Sequence, residues 1–219
     1  MRTLCLRRAL GQEPEMDCAA QGAAILAPLV GRAREKNPAP PRLLDVGCGG
    51  GHFHGSLARR GIAVDYHGLD YSPSMCGIAR QAFGRLGLDP ARIILEDVRQ
   101  LRDFQCQFVV MINVLSFNAD FREPLDRLAA TGAEAMIIRD NFGPKTIVRW
   151  EPDGYLDPGH NHLKGYWNQW SKKEVAAFLA DLGYRSSFAP DARAKGRVEL
   201  VVDKPYRWSW LVAEKSAKP

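Results

Sequence analysis

The chain has 219 residues, 46% of them apolar and 25% charged, which suits one ordinary globular domain with a full-sized core. A net charge of +5 permits an anionic partner without demanding nucleic acid, because the basic residues are scattered apart from Arg7-Arg8, Arg59-Arg60 and the Arg193-Lys195-Arg197 alternation. No apolar run is long enough to span a bilayer, and five cysteines at wide spacings without a C-x-x-C argue against a disulfide framework or a zinc knuckle.

Such cysteine usage fits a reducing, cytoplasmic location. Met1 to Leu10 is basic, but Arg7 and Arg8 interrupt any signal-peptide core; a targeting segment and a start at Met16 are both open readings. Residues 17–36 carry apolar side chains at helical spacing from Ala19 to Gly31, with a break or kink expected at Pro28. Asn37-Pro-Ala-Pro-Pro41 is a stiff connector. The expected division is an N-terminal helical extension with its Pro-rich connector over 1–41, and the main domain over 42–219.

Leu43 to Phe53, LLDVGCGGGHF, joins an apolar strand to a turn with glycine at 47, 49, 50 and 51, and then to a helix over Phe53 to Arg60. A strand, a glycine turn and a helix N-terminus together make a nucleotide-type site at the carboxyl end of a sheet. The spacing departs from G-x-G-x-x-G, since His52 stands where the third glycine would fall, which counts against NAD or FAD. No Lys-Ser or Lys-Thr follows, so a P-loop is excluded. Ile62 to Leu69 is the second expected strand. It ends at Asp70, where a carboxylate can accept from both hydroxyls of a ribose. Ser72-Pro73 then starts a helix.

The stretches D-V-G-C-G-G-G and GLDYSPSMCGIARQAF resemble the first two motifs of the class I S-adenosylmethionine-dependent methyltransferases. The resemblance implies a Rossmann-like, doubly wound α/β fold: a seven-stranded sheet, mostly parallel, with an antiparallel last strand. It implies S-adenosylmethionine as cofactor, with Asp45, Gly47 and Gly49 in the loop beneath its methionine part. Asp70 and Tyr71 then lie at the ribose, and Met75 packs nearby. After a third strand, Ile93 to Leu95, the family places an aspartate on the adenine amino group and the next backbone on a ring nitrogen, which points to Asp97 and Val98.

Phe108 to Ile112 reads as a buried fourth strand, followed by a loop, Asn113 to Asn118, that closes over the cofactor with Asn113 in contact. Enzymes that methylate amino groups of bases or glutamine carry Pro-Pro-Tyr after the corresponding residue, and Asn113-Val114-Leu115-Ser116 does not. A helix over Phe121 to Ala130 and a strand over Glu134 to Arg139 continue the alternation of a parallel sheet. Ser171-Lys-Lys-Glu174 is a capping box for a helix ending at Gly183; Tyr184 to Ala189 and Arg207 to Ala213 are the last strands. Pro190 to Tyr206 is an insertion whose apolar run, Val198 to Val202, suits a small flap.

Between them, residues 140–170 form a long, turn-rich, aromatic segment of the kind that carries function. It is expected to build the acceptor pocket from Asp140, Tyr155, Tyr166 and Trp167. His162, or else His160, would act as general base, the alternative being turn histidines bonded to backbone. No metal site is expected, because the five histidines lack companions at ligand spacing. The expected activity is methyl transfer to a small-molecule or glycan hydroxyl, in the manner of small bacterial methyltransferases of sugar or surface-glycan pathways. An RNA-modifying methyltransferase and a non-catalytic S-adenosylmethionine-binding module are the alternatives. Oligomeric state is left open.

Overall fold

The computed structural model describes residues 2–153 and 162–216. Two helices come first, α1 (Arg2–Ala9) and α2 (Asp17–Lys36), and then an alternating series: β1 (Arg42–Val46), α3 (His52–Arg59), β2 (Asp65–Asp70), α4 (Pro73–Arg85), β3 (Ile93–Leu95), β4 (Phe108–Ile112), α5 (Arg122–Ala130) and β5 (Ala135–Gly143). The strands β6 (Trp150–Pro152), β7 (Lys164–Tyr166) and β8 (Trp170–Ser171) follow, then α6 (Lys172–Asp181), β9 (Tyr184–Pro190), β10 (Glu199–Val201), β11 (Lys204–Tyr206) and β12 (Trp208–Lys215).

The main sheet runs β3-β2-β1-β4-β5-β12-β9. The first five strands are parallel, and β12 is antiparallel to both of its neighbours. Seven strands lie on that path, as expected, and β8 adds an eighth by pairing Trp170 with Phe142 at the far end of β5. Alternation within the strands divides the core in two. Leu44, Val109, Met136 and Ile138 face α5 and α6; Leu43, Val110, Ile137 and Trp210 face α2, α3 and α4. Strand order reverses at β1, between β2 and β4, so the crevice that open α/β sheets offer a ligand lies at the carboxyl ends of β1 and β4.

Three features depart from or extend the sequence expectations. α2 runs unbroken through Pro28. A proline denies a donor to only one upstream carbonyl, and the buried Gly22, Ala23 and Leu26 before it and Leu29 and Val30 after it fix both halves to the sheet. The Val198–Val202 flap is an antiparallel hairpin, β10–β11, whose two-residue turn has Val202 and Asp203 at φ of 48° and 61°. Residues 2–9, left open by sequence, are helical. α1 lies against α3 and α4, and a Cβ built on Gly50 would stand 3.4 Å from the carbonyl oxygen of Cys5. Ser72 and Ser171 cap α4 and α6 as expected, each accepting from the N–H three residues on at 3.4 Å. Among the described residues no helix is long and apolar enough to cross a membrane.

Candidate active site

The glycine turn leaves β1 and is tied to the end of β2. The N–H groups of Gly47 and Cys48 donate to the Leu69 carbonyl at 2.7 and 3.0 Å. Gly49 N–H donates to one oxygen of Asp70 at 2.9 Å, while Ser72 N–H donates to the other at 2.9 Å. Asp70 is thereby locked between two loops with its carboxylate in the crevice wall. Gly47 is required by shape: φ is +70°, and a Cβ there would lie 2.2 Å from the Cγ2 of Val114. At Gly49, φ is +53° and an added Cβ would make only an ordinary contact with the His52 ring at 3.9 Å, so conformation rather than crowding favours glycine there.

Asp45 lies beneath this turn, buried, accepting a 2.5 Å hydrogen bond from the Tyr66 hydroxyl. Burial pushes its carboxyl up to about 7, against the pull of the Tyr66 hydrogen bond, and the nearby Asp70 charge pushes the same way as burial.

A cavity of about 260 Å³ opens at the ends of β1, β2 and β3. Val46, Leu69, Val98 and Val114 give it an apolar slot, and Gly47, Asp70, Tyr71 and Asp97 supply the polar edge. Asp97 caps a short helical turn through the Arg99 N–H, and the Arg99 guanidinium grips both its oxygens at 2.5–3.1 Å. These hydrogen bonds from Arg99 hold the Asp97 carboxyl below the usual carboxylate range despite partial burial. Tyr166, its ring tilted against Trp150 with 4.6 Å between ring centres, closes the outer side.

A second, larger cavity of about 690 Å³ lies beyond Phe117, whose ring lines both. Its floor is Asn113, Arg139, Asp191 and Trp208, and its other walls come from residues 8 and 13–18 and from Arg193, Val201 and Tyr206. Arg139 is a buried cation in the middle of the sheet. Its Nε donates to Asp191 at 2.7 Å, Nη1 donates to the Asn113 side chain, and the guanidinium sits 4.1 Å from the centre of the Trp208 ring. Asn113 leaves β4 in the left-handed region, at φ of 59°, and its N–H donates to the Arg139 carbonyl at 2.8 Å.

Of the residues expected from sequence, Gly47, Asp70, Tyr71, Asp97 and Val98 meet around the first cavity, and Asn113 lines the second. Asp45, Gly49 and Met75 line neither. The described residues expected to build the acceptor pocket are not brought together around one cavity. Asp140 is wholly buried, its carboxyl pushed up by that burial, and it lines neither cavity. Trp167 is core, packed edge-on against Phe117 at 5.2 Å and Tyr206 at 6.4 Å. Tyr166 faces the first cavity, beside Asp97. His162 is exposed and lines neither cavity, while Tyr155 and His160 lie outside the described residues. Sequence reasoning missed Arg139, Asp191 and the segment 8–18. A charged residue inside the apolar run MIIRDNF was the available signal for the first.

Residues 43–132 match a family model described as a methyltransferase domain. The ubiquinone biosynthesis O-methyltransferase of Cereibacter sphaeroides is 30% identical over 194 residues, covering 80% of this chain and 68% of that protein. Among solved structures, magnesium protoporphyrin IX methyltransferase of Synechocystis, with bound S-adenosylhomocysteine, has a TM-score of 0.61 at 19% identity, covering 96% of this chain and 93% of that one. The 1,6-didemethyltoxoflavin N1-methyltransferase of Burkholderia thailandensis, bound to 1,6-didemethyltoxoflavin and S-adenosylhomocysteine, has a TM-score of 0.59 at 16% identity, covering 92% and 80%. At such identities the two structures are similar in fold.

Proposed function

We infer that this chain, which belongs to the class I S-adenosylmethionine-dependent methyltransferases, methylates a hydroxyl of a small molecule seated in the second cavity. The observation that carries the reading is the pair of cavities meeting at Phe117 on the carboxyl edge of the sheet. One is built from the cofactor motifs and the other from residues outside them.

The donor set of the first cavity fits S-adenosylmethionine. An acid at the tip of β2, an apolar slot and a second acid after β3 match a ribose, a flat base and its amino group. In this reading Asp70 accepts from the ribose hydroxyls beside Tyr71, and Asp97 and Val98 hold the adenine. Gly47 and Gly49 leave backbone open to the methionine part, over the buried charge of Asp45, and Met75 packs behind. When bound, the cofactor would supply a methyl group on a cationic sulfur: the acceptor oxygen would form the C–O bond as the C–S bond breaks, S-adenosylhomocysteine would leave, and the hydroxyl proton would pass to solvent. For such a step much of the rate comes from positioning. Arg139 fixes Asn113, and Phe117 separates the two chambers. The cytoplasm remains our proposed location, and all five cysteines are free thiols, three of them buried.

A hydroxyl acceptor is supported by the O-methyltransferase relative. Walls from Phe117, Tyr206 and Trp208 suit a phenol or a sugar ring, and the relative favours the phenol over a glycan. RNA is disfavoured, because the basic residues are scattered along the chain rather than gathered into one patch. We propose that transfer needs no metal; among the described residues no group of three or more His, Cys, Asp or Glu is placed to hold one.

Methyl transfer to a panel of phenols, with radiolabelled cofactor, tests the cavity assignment on Val201→Trp, which puts an indole into the second chamber. The acceptor KM should rise about 10-fold or more, with S-adenosylhomocysteine affinity within about twofold of wild type. An unchanged KM would overturn the assignment.

The same assay on His162→Ala decides the base. The exposed ring outside both cavities leads us to expect turnover within about twofold of wild type. A loss of about 10²-fold or more would restore His162 to the role of general base.

A further inference from the structure

We infer that Arg8, on the helix lying over the glycine turn, is the anchor for a carboxylate bound at the wall of the second cavity. The inference rests on the reading of that cavity as the acceptor chamber beside the cofactor. Four carboxylates of this chain line the chamber, and three are taken by other cations. Glu13 pairs with Arg7 at 2.9 Å, Glu15 with Arg60 at 2.6 Å and Asp191 with Arg139 at 2.7 Å. The fourth, Asp17, is exposed at the first turn of α2, where the helix dipole favours a negative charge.

Arg8 lines the chamber too, yet among the described residues no ion pair or hydrogen bond holds its guanidinium, and its Nε is buried without a hydrogen-bond partner. A buried N–H donor left unpaired is unfavourable in the free protein, and a guanidinium presents a fork that matches a carboxylate in bidentate fashion. Its place is equally specific. Arg8 also lines a small crevice with His52 and Ser56, and its charge adds to burial in pushing the His52 imidazole down. The guanidinium therefore stands between the N-terminus of α3, just after the glycine turn, and the acceptor chamber. Two molecules can bring a carboxylate there: the amino-acid end of the cofactor, or an acidic acceptor.

Calorimetry on wild type, Arg8→Gln and Arg8→Lys separates them with four probes. S-adenosylhomocysteine has the carboxylate and 5′-methylthioadenosine lacks the amino-acid end. 3,4-Dihydroxybenzoate and 3,4-dihydroxybenzyl alcohol, added to protein saturated with S-adenosylhomocysteine, differ in the same way. If the cofactor is the source, Arg8→Gln weakens S-adenosylhomocysteine about 10–100-fold and leaves 5′-methylthioadenosine unchanged, the loss expected for one charged hydrogen-bonding group. If the acceptor is the source, S-adenosylhomocysteine is unaffected. Wild type then prefers the benzoate to the alcohol by about 10-fold or more, and Arg8→Gln abolishes the preference. Arg8→Lys should recover part of either effect, as a point charge without the fork.

The inference fails if Arg8→Gln weakens S-adenosylhomocysteine and 5′-methylthioadenosine alike. It also fails if S-adenosylhomocysteine is unaffected and wild type shows no carboxylate preference that Arg8→Gln removes. Because no described residue pairs with the guanidinium, the variant should keep the wild-type melting temperature within about 2 °C. A normal KM in Val201→Trp beside a weakened S-adenosylhomocysteine in Arg8→Gln would reject the acceptor chamber and keep the carboxylate anchor.

Discussion

Arg139→Met is expected to destabilise the protein by about 3–5 kcal/mol at pH 7, the range for removing one partner of a buried ion pair. The Arg139 and Asp191 side chains are 5% and 1% exposed, so the pair is largely withdrawn from water although it floors the second cavity. With the guanidinium gone, Asp191 keeps only the Arg193 and Ala194 N–H groups, each donating to one of its oxygens at 3.0 Å, and the other oxygen is left bare. Asn113 would lose the donor that fixes its side chain in a left-handed backbone position, and Trp208 the cation over its ring. The double variant Arg139→Met with Asp191→Asn should lose less than about half as much, because a neutral amide keeps the cap and removes the uncompensated charge.

Burial works against the Asp191 charge, but the Ala194 N–H and Arg139 hold its carboxyl below the usual range. Its contribution is therefore present above pH 4 and lost as pH falls through the lowered value, so wild type should lose more stability than Arg139→Met on acidification. Urea melts at pH 7 and pH 3.5 measure both effects. A loss below about 1 kcal/mol at pH 7 would mean that water reaches the guanidinium.

The first cavity was legible because its determinants are local. A left-handed turn tight against the next strand loop admits only glycine at 47, and an acid at the tip of a parallel strand is held by neighbouring N–H groups, as Asp70 is. The second cavity was not legible, because it joins residues 8 and 13–18 to 113, 117, 139, 191 and 208, and no local pattern announces such a meeting. The aromatic segment after β5 misled for a physical reason. β5 runs on to Gly143 and recruits Trp170 as an extra strand partner, so Phe142, Trp167 and Trp170 are consumed as core. Pro28 misled in the opposite sense, since packing on both sides of it outweighed a local preference.

Asp45→Asn is expected to make the folded protein more stable above pH 7 while weakening its hold on the cationic cofactor. Burial raises the Asp45 carboxyl from its ordinary 3.8 to about 7 in the fold, with the Tyr66 hydroxyl only partly offsetting it. Because the folded value lies above the unfolded one, protonated Asp45 contributes fully below about pH 4, and that contribution is lost as pH rises through about 7. The loss amounts to about 4 kcal/mol at 1.36 kcal/mol for each tenfold change in proton activity between the two values. An amide at this position never ionises and can still accept from Tyr66. The variant should therefore gain on wild type as pH rises from 4 to 8, by up to about 4 kcal/mol, of which about 2.5 kcal/mol falls between pH 5 and 8.

The carboxylate is worth that burden only if something positive offsets it, and in the proposed binding mode the cofactor would bring a sulfonium and an ammonium to the turn above. Affinity for S-adenosylmethionine should then rise between pH 6 and pH 8 in wild type, more than affinity for S-adenosylhomocysteine, which lacks the sulfonium. Both slopes should flatten in Asp45→Asn. Denaturant melts and calorimetry across pH 5–8 on the two proteins decide the matter. A variant less stable than wild type at pH 8, or equal slopes for the two ligands, would show that Asp45 serves the fold rather than the cofactor.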